Sequence, residues 1–341
     1  MRSYVKSTAL ALVLLWLTLS AGCASNAPQT RSFQSMDTVM QLTVYGDEST
    51  TAAIEERITE LDKKLSSTDV NSEIYRLNRD GSATLDELTA DALEQSLSCC
   101  EASKGALDIT VYPVVCEWGF ISGDHHIPSQ STLSRLLKSV DYRRVKLSEN
   151  TAELPKGTQI DLGATAKGFA ADEARKLLLR DGCESAVLNL GGTVLAHGKK
   201  PGGSEWRIGI ADPGNSADYM GTVSCEDKIT ATSGSYERYF TGSDGKRYCH
   251  IIDPKSGMPA DNGVESVTVI SDSGVKSDSL STALFVMGLD KATDYWRQHR
   301  DFELVILTSD KKALITPALA QSFQLKNEQY SKEVIRDLYA E

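Results

Sequence analysis

The second half of the chain contains a succession of short apolar segments with little helical sequence between them. Alternating and β-branched residues predict strands over 185–190, 206–211, 227–232, 247–252, 264–270 and 303–308. One helix is predicted near 276–288. Parallel strands need a crossover connection, usually a helix, so strands that follow one another directly favour mixed or antiparallel sheets. The sequence therefore predicts an α+β fold rather than a doubly wound sheet.

The first half begins with a strand and then becomes mainly helical. Met40, Leu42 and Val44 alternate with polar residues, which predicts a strand, and apolar residues at helical spacing predict a helix over 54–65. The remaining predicted elements are a helix capped by Thr89 that ends before Gly105, a strand ending at Leu162, and a helix over 166–177.

The N-terminus resembles a bacterial export signal. Arg2 and Lys6 precede an apolar run of about eleven residues over 9–19, whereas a membrane-spanning helix needs roughly 20. Small residues lead into Cys23, which predicts a lipoprotein signal over 1–22, acylation of Cys23, a polar tether over 23–30 and one domain over 31–341. A simple secretory signal with an unrelated cysteine is the alternative. We expect an exported, lipid-anchored envelope protein that faces the periplasm, with the choice of membrane left open.

The charge of the chain excludes one large class of partners. The net charge of −11 becomes −13 after removal of residues 1–22, which contain two basic residues, Arg2 and Lys6, and no acidic ones. The chain has no Lys/Arg-rich tract, and an acidic protein repels the phosphate backbone of nucleic acids. We therefore expect no nucleic-acid partner.

Two glycine-containing clusters are candidate ligand-binding turns. Residues 161–168 join a predicted strand to a predicted helix, where successive backbone N–H groups and Lys167 could hold phosphate oxygens. An ordinary turn with a solvated lysine explains the same pattern. Gly191 and Gly192 follow another strand and permit close approach of the backbone to a ligand, or simply a tight turn.

Two further clusters carry side chains suited to catalysis. His250 precedes an Asp253-Pro254 turn, and a neutral imidazole there could accept the proton of a hydroxyl nucleophile; a structural histidine is the alternative. Asp278 and Thr282 lie one helical turn apart and could supply hard oxygen ligands for Mg²⁺. The alternative is a helix N-cap at Ser277 or Asp278.

The order and spacing of these clusters resemble the bacterial FAD:protein FMN transferases of the ApbE type. The resemblance covers nearly the whole mature chain, although each block alone is weak. Its blocks are Met36-Asp37-Thr38, Ser72-Glu73-Ile74, Leu77-Asn78, residues 105–111, Trp118-Gly119-Phe120, residues 161–168, residues 189–192, Trp206 with Asp212-Pro213, Thr232-Ser233-Gly234, residues 250–257 and residues 278–282.

The resemblance implies a fold, a site and a reaction. The implied fold is two intimately joined T-fold-like α+β units with FAD in the groove between them. The implied flavin contacts are Met36, Thr68, Ala106, Leu107, Asp108, Asp161, Lys167 and Ile252. The implied Mg²⁺ ligands are the backbone carbonyl of Ala164 and the side chains of Asp278 and Thr282, and His250 is the implied base.

The implied reaction moves the FMN half of FAD onto a threonine of another protein and releases AMP. By the same resemblance, the acceptor is an exported or membrane redox subunit of the Na⁺-translocating NADH:quinone oxidoreductase or Rnf type. Thr68 stands where a larger side chain is common, which leaves hydrolysis of FAD to FMN and AMP as an alternative. A lipoprotein that binds flavin without catalysis is a third reading.

Overall fold

The computed structural model describes residues 27–336. The predicted signal over 1–22, the predicted lipidation site Cys23 and most of the tether lie outside these residues. The first strand begins at Gln29, so the last two tether residues already belong to a sheet. Within 27–336, none of the helices combines the length and apolar character needed to cross a bilayer.

Seventeen strands form the sheets of the described part of the chain. In chain order they are β1 Gln29–Ser35, β2 Thr38–Val44, β3 Ser82–Thr84, β4 Lys146–Ser148, β5 Thr151–Glu153, β6 Ser185–Asn189, β7 Thr193–Gly198, β8 Trp206–Asp212, β9 Asn215–Cys225, β10 Lys228–Gly234, β11 Tyr239–Thr241, β12 Arg247–Cys249, β13 Val264–Ser271, β14 Glu303–Thr308, β15 Lys312–Ile315, β16 Phe323–Leu325 and β17 Ser331–Val334.

Eight α-helices accompany the strands over residues 27–336. They are α1 Glu48–Leu65, α2 Glu73–Asp80, α3 Glu87–Ala102, α4 Tyr112–Glu117, α5 Gln130–Leu136, α6 Ala166–Arg180, α7 Gly274–Met287 and α8 Leu289–His299.

A nine-stranded sheet organises the molecule into layers. Its order is β1-β2-β6-β7-β10-β13-β14-β15-β17, and every neighbouring pair is antiparallel except β15 and β17. Successive side chains of a strand point to opposite faces. On β14, Leu304 and Ile306 therefore pack beneath α7 and α8, while Val305 and Leu307 pack against β8, β9 and β16. The predicted mixed α+β fold is confirmed.

The segment between α3 and α6 contributes most of a smaller apolar cluster beside the main core. Trp118, on the residue after α4, is fully buried there, and its indole N–H donates to the Gly257 carbonyl at 2.8 Å. This bond ties the turn after His250 to α4. The space between this cluster and the α6–α7 layer is the cleft described below.

The structure corrects three local predictions. Helix α3 is capped by Asp86, whose carboxylate accepts the Thr89 N–H at 2.7 Å, rather than by Thr89 itself. Helix α7 is capped by Ser273, so Ser277 and Asp278 lie inside the helix. The predicted strand ending at Leu162 is extended backbone without a strand partner. There the Asn78 side-chain amide bonds both the N–H and the carbonyl of Ile160 and takes the place of a neighbouring strand.

Candidate active site

One cleft of about 720 Å³ collects the residues that the sequence marked from distant parts of the chain. Every predicted flavin, metal and catalytic residue within 27–336 lines it except Thr68. These lining residues are Met36, Ala106, Leu107, Asp108, Asp161, Ala164, Lys167, His250, Ile252, Asp278 and Thr282. The fold therefore brings the predicted site residues together in one cleft.

The floor of the cleft is a close crossing of α6 and α7. A Cβ on Gly168 would lie 2.2 Å from the Gly274 carbonyl oxygen, and a Cβ on Gly274 would lie 2.1 Å from that of Gly168. The two backbones can approach this closely only because neither residue has a side chain. The crossing places the start of α6 directly against the second turn of α7, which carries Asp278.

Asp278 uses this proximity to reach the start of α6. Its carboxylate accepts the Gly168 N–H at 2.9 Å and lies 3.4 Å from the Thr193 hydroxyl. In a regular helix start the Gly168 N–H would bond the carbonyl four residues earlier, which belongs to Ala164. Because that N–H turns to Asp278, the Ala164 carbonyl is left available at the cleft wall.

The donor set at this crossing fits a hard divalent cation. Ala164 offers a carbonyl, Asp278 a carboxylate and Thr282 a hydroxyl, all of them oxygen donors, and all three line the cleft. Within residues 27–336, no cluster of three or more His, Cys, Asp or Glu side chains forms a self-contained metal site. A single carboxylate completed by ligand phosphates is a typical arrangement for Mg²⁺ and not for a structural zinc site.

A second carboxylate stabilises the same helix crossing, and this one is on α6 and contacts the start of α7. Asp172 of α6 accepts the N–H groups of Gly274 and Val275 at 2.8 and 3.0 Å, at the start of α7. An acid at a helix N-terminus satisfies unpaired amides and interacts favourably with the helix dipole. Each helix thus supplies an acid to the other, and Asp172 is a site-organising residue that the sequence reasoning missed.

Asp161 and Lys167 flank the start of α6 with opposite charges. The Asp161 carboxylate accepts the Ser67 hydroxyl at 2.8 Å and the Gly163 N–H at 3.0 Å, which fixes the turn before the helix. Lys167 has no carboxylate within ion-pair distance among residues 27–336. An unpaired ammonium in a cleft is available to an anionic ligand, as the predicted phosphate site requires.

Met36 enters the cleft from a strained turn. Met36 and Asp37 join β1 to β2, and both have positive φ values, 49° and 59°. Two-residue hairpin turns of this kind favour glycine or asparagine, so a methionine here indicates strain held by the surroundings. Asp62 supplies that support, because its carboxylate accepts the Met36 N–H and the Ser35 hydroxyl, each at 3.0 Å.

Asp108 organises the cleft wall. One of its carboxylate oxygens accepts the hydroxyl and the N–H of Thr110 at 2.6 and 2.9 Å, and the other accepts the Tyr142 N–H at 3.1 Å. Burial raises the pKa of this carboxyl, while these three hydrogen bonds oppose the shift. Because the side chain is engaged in this way, its main effect is to shape the loop that carries Ala106 and Leu107.

His250 is held in the tautomer that a base needs. Its Nδ1 lies 3.2 Å from the Arg238 carbonyl, which can only accept, so the proton is assigned to Nδ1 and the Nε2 lone pair stays free. Burial lowers the pKa of His250 to about 4, and the Arg238 and Lys167 cations act in the same direction. The imidazole is therefore neutral near pH 7.

Glu237 is a second titratable group of the cleft that the sequence reasoning missed. It lines the cleft and stays accessible to solvent along it, yet surrounding protein desolvates its carboxyl and raises its pKa to about 7. Lys167 opposes this shift, and Asp278 adds to it. Its position shortly after the block Thr232-Ser233-Gly234 was the available signal.

Thr68 is the one described site residue that the fold leaves outside the cleft lining. Its side chain is exposed, and its hydroxyl lies 3.2 Å from that of Ser66. The neighbouring wall is formed instead by Tyr112, a buried residue whose phenol donates to the Ser67 carbonyl at 3.3 Å. A flavin contact by Thr68 remains a prediction.

Two bacterial relatives with similar sequences are both FAD:protein FMN transferases. The chain is 35% identical over 284 residues to the FAD:protein FMN transferase of Treponema pallidum, covering 76% of this chain and 78% of the relative. It is 34% identical over 230 residues to the FAD:protein FMN transferase of Klebsiella pneumoniae, covering 65% of this chain and 71% of the relative.

Solved structures agree with the sequence comparison. The ApbE protein of Thermotoga maritima matches with a TM-score of 0.76 and 32% identity, covering 82% of this chain and 94% of that protein. The flavinyl transferase ApbE of Pseudomonas stutzeri matches with a TM-score of 0.73 and 26% identity, covering 82% and 92%. Residues 36–306 match the model of the ApbE family, and the chain belongs to that family.

Proposed function

We propose that this protein transfers the FMN moiety of FAD to a threonine hydroxyl of an acceptor protein in a Mg²⁺-dependent reaction that releases AMP. The observation that carries the proposal is the convergence in one cleft of a neutral histidine and an oxygen donor set beside an unpaired lysine. The relatives named as FAD:protein FMN transferases support the same reaction.

The start of α6 is suited to hold the pyrophosphate of FAD. The backbone turn before the helix, the helix N-terminus and Lys167 present positive charge to the cleft. Ala164, Asp278 and Thr282 would hold Mg²⁺ at the same end. A bound Mg²⁺ neutralises charge on pyrophosphate oxygens and on the departing phosphate. Asp278 contributes the only carboxylate of this donor set, so its charge is expected to control metal affinity.

His250 is placed to activate the acceptor hydroxyl. A threonine hydroxyl is a weak nucleophile near neutral pH, and a base within hydrogen-bond reach accelerates such reactions by about 10²–10⁴-fold. The free Nε2 can accept that proton as the oxygen bonds to the FMN phosphorus and the bond to the AMP phosphate breaks. The proton stays on the imidazole until solvent removes it.

The site also supports a second candidate reaction, hydrolysis of FAD to FMN and AMP. Thr68 does not fill the cleft, because its side chain is exposed and outside the lining. Water that enters in place of the acceptor hydroxyl would meet the same phosphorus and the same base. The two reactions differ only in the nucleophile.

The N-terminal sequence supports a location for this chemistry. The basic residues, the short apolar run and Cys23 are typical of a lipid-anchored envelope protein, and we include export and anchoring to the periplasmic side in the proposal. Acceptors in that compartment would include exported redox subunits of the Na⁺-translocating NADH:quinone oxidoreductase or Rnf type.

Incubation of the purified protein with FAD and Mg²⁺, with and without a candidate acceptor domain, tests the proposal. Transfer produces flavin fluorescence that stays on the acceptor after denaturation, together with one AMP per flavin. AMP without acceptor labelling identifies a hydrolase, and unchanged FAD identifies a carrier; either result contradicts the transferase.

Asp278→Asn is the matched variant for the metal. An asparagine oxygen can still accept the Gly168 N–H, so the helix crossing is preserved while the negative charge is lost. We expect the variant to need a much higher Mg²⁺ concentration for turnover. Unchanged activity at low Mg²⁺ would remove Asp278 from the metal site.

A further inference from the structure

Arg238 is a second cation of the cleft, and the site described above uses its backbone carbonyl but gives its guanidinium no ligand. Arg238 and Lys167 are the two cationic side chains among the residues that line the cleft. Five carboxyl groups line it as well, those of Asp37, Asp108, Asp161, Glu237 and Asp278. A dianionic pyrophosphate therefore meets an excess of acids, and each cation of the cleft contributes to its binding.

The position of Arg238 is fixed by both its side chain and its backbone. The guanidinium Nη2 donates to the Phe120 carbonyl at 2.6 Å. The carbonyl of Arg238 accepts the His250 N–H at 3.0 Å and lies 3.2 Å from His250 Nδ1. Arg238 thus joins the aromatic end of the cleft to the residue that we propose as the base.

Most of the hydrogen-bonding capacity of this guanidinium is unused. An arginine side chain carries several N–H donors in a planar fork, and the bond to the Phe120 carbonyl takes one of them. Among residues 27–336, the guanidinium of Arg238 has no carboxylate within ion-pair distance and no second hydrogen-bond acceptor. The remaining donors are available to a ligand, and their fork matches the oxygens of a phosphate group.

The contacts of Arg238 place it between two parts of the cleft. Phe120 belongs to an apolar wall that suits a flat ring system, and Lys167 belongs to the start of α6, where the pyrophosphate is expected. Arg238 bonds the first of these residues. It also acts with the second on His250, since both cations add to the larger effect of burial in lowering the pKa of that imidazole. In FAD the FMN phosphate lies between the flavin ring and AMP, so it is expected at this boundary.

We propose that Arg238 binds the phosphate of the FMN half of FAD and holds the reacting phosphorus in front of His250. This inference rests on the proposed transferase function and adds a phosphate-binding residue to it. The guanidinium contacts the non-bridging oxygens of this phosphate, which carry negative charge before and after transfer. Arg238 neither gives nor takes a proton, because an arginine stays protonated in proteins.

A structural brace is the competing role for this side chain. The bond to the Phe120 carbonyl would then be its whole function, and loss of that bond would displace the apolar wall of the cleft. A displaced wall weakens the binding of every flavin alike. A lost phosphate contact weakens only those flavins that carry a phosphate, and riboflavin and FMN differ in that group alone.

The test measures the affinities of the purified protein for riboflavin and for FMN by isothermal titration calorimetry. EDTA is present, so no metal ion contributes to the difference between the two flavins. The variants are Arg238→Gln and Arg238→Lys. The matched control is Arg247→Gln, at an arginine of β12 that does not line the cleft and lies 4.0 Å from the centre of the Tyr239 ring.

We expect the wild type to bind FMN more tightly than riboflavin. Arg238→Gln should weaken FMN binding by about tenfold or more and leave riboflavin binding unchanged. Arg238→Lys keeps the charge without the planar fork and should lose a smaller factor. The control should match the wild type. An equal loss for both flavins identifies a brace, and an unchanged FMN affinity leaves Lys167 as the phosphate ligand; either result overturns the proposal.

The transfer reaction separates this proposal from the one on which it rests. In turnover with Mg²⁺, Arg238→Gln should raise the KM for FAD by about tenfold and leave the KM for the acceptor unchanged. If the wild type labels no acceptor while its preference for FMN over riboflavin still depends on Arg238, the transferase function fails and the phosphate contact stands. Circular dichroism of each variant shows whether the fold is intact.

Discussion

The two ends of the cleft are built in opposite ways. At the α6–α7 crossing, two glycines bring the backbones into contact, and two carboxylates bind the N-terminal amides of the opposite helices. At the other end, the rings of Phe120, His125 and Phe240 pack beside His250, and Ile121 and Ile127 are exposed. The first end is tightly packed around the donors that a ligand can use, whereas the second is aromatic and opens to the surface.

This difference corresponds to the two substrates that the proposed reaction joins. A pyrophosphate and a metal ion need donors held within a fraction of an ångström, which a packed helix crossing provides. A protein acceptor must arrive from solution and leave again, so its contacts have to lie at the surface. His250 stands where the two ends meet, since it lines the cleft and its ring lies edge-on to that of Phe120, with centroids 6.4 Å apart.

The largest effect is expected from removing the group between the two ends. His250→Ala should lower transfer by about 10²–10⁴-fold while FAD binding persists. In the wild type at saturating FAD, kcat/KM for the acceptor should hold above pH 5 and fall as pH approaches 4, because the neutral imidazole is lost below its pKa. His299→Ala, which removes a ring stacked on Tyr295, is the control. Full-rate labelling by His250→Ala would exclude the histidine as base.

The helix crossing should be sensitive to a single added methyl group. Gly168→Ala places a Cβ against the Gly274 carbonyl, and overpacking of this kind costs about 1–3 kcal/mol. Misplacement of Asp278 by about 1 Å would lower turnover by about 10²-fold. Thermal unfolding and AMP release measure both effects. Gly46→Ala is the control, because its nearest neighbour would lie 3.5 Å away; equal behaviour of the two variants would contradict the role of the crossing.

A smaller effect is expected from the reciprocal acid. Asp172→Ala removes the acceptor of the Gly274 and Val275 amides, which should lower the free energy of unfolding by about 0.5–2 kcal/mol. Because α7 is then free to shift, the Mg²⁺ concentration for half-maximal activity should rise. Asp172→Asn keeps one acceptor oxygen, so its free energy of unfolding should lie between those of Asp172→Ala and the wild type. A stability loss with unchanged Mg²⁺ dependence would restrict Asp172 to folding.

The smallest effect should come from Glu237. Desolvation by the protein around the cleft raises the pKa of this carboxyl to about 7, so it is mostly neutral at pH 6 and mostly charged at pH 8. Its negative charge repels the FAD pyrophosphate, and FAD affinity should fall by roughly threefold to tenfold over that interval. Glu237→Gln should remove this dependence at constant Mg²⁺. An identical pH profile in the variant would show that the titrating group lies elsewhere.

Much of the fold could be predicted from local patterns in the sequence. Strands β6, β8, β10, β13 and β14 begin within a residue of their predicted starts, because alternation along a strand is set by its own side chains. Predictions were less accurate where distant groups act. Asn78 bonds the backbone of Ile160 and replaces a strand there, although 82 residues separate the two in sequence. Helices α3 and α7 also begin a few residues before their predicted starts, with Asp86 and Ser273 as their N-caps.

The sequence by itself determined the mixed α+β class, the family and eleven of the residues that line the cleft. Only the tertiary structure decided how those residues act together. Gly168 and Gly274 are about a hundred positions apart, and only their contact shows why Asp278 reaches α6 and leaves the Ala164 carbonyl available. The position of Thr68 outside the cleft lining and the raised pKa of Glu237 also depend on neighbours that are remote in sequence. Burial and electrostatic environment are properties of the packed chain, and a local pattern does not contain them.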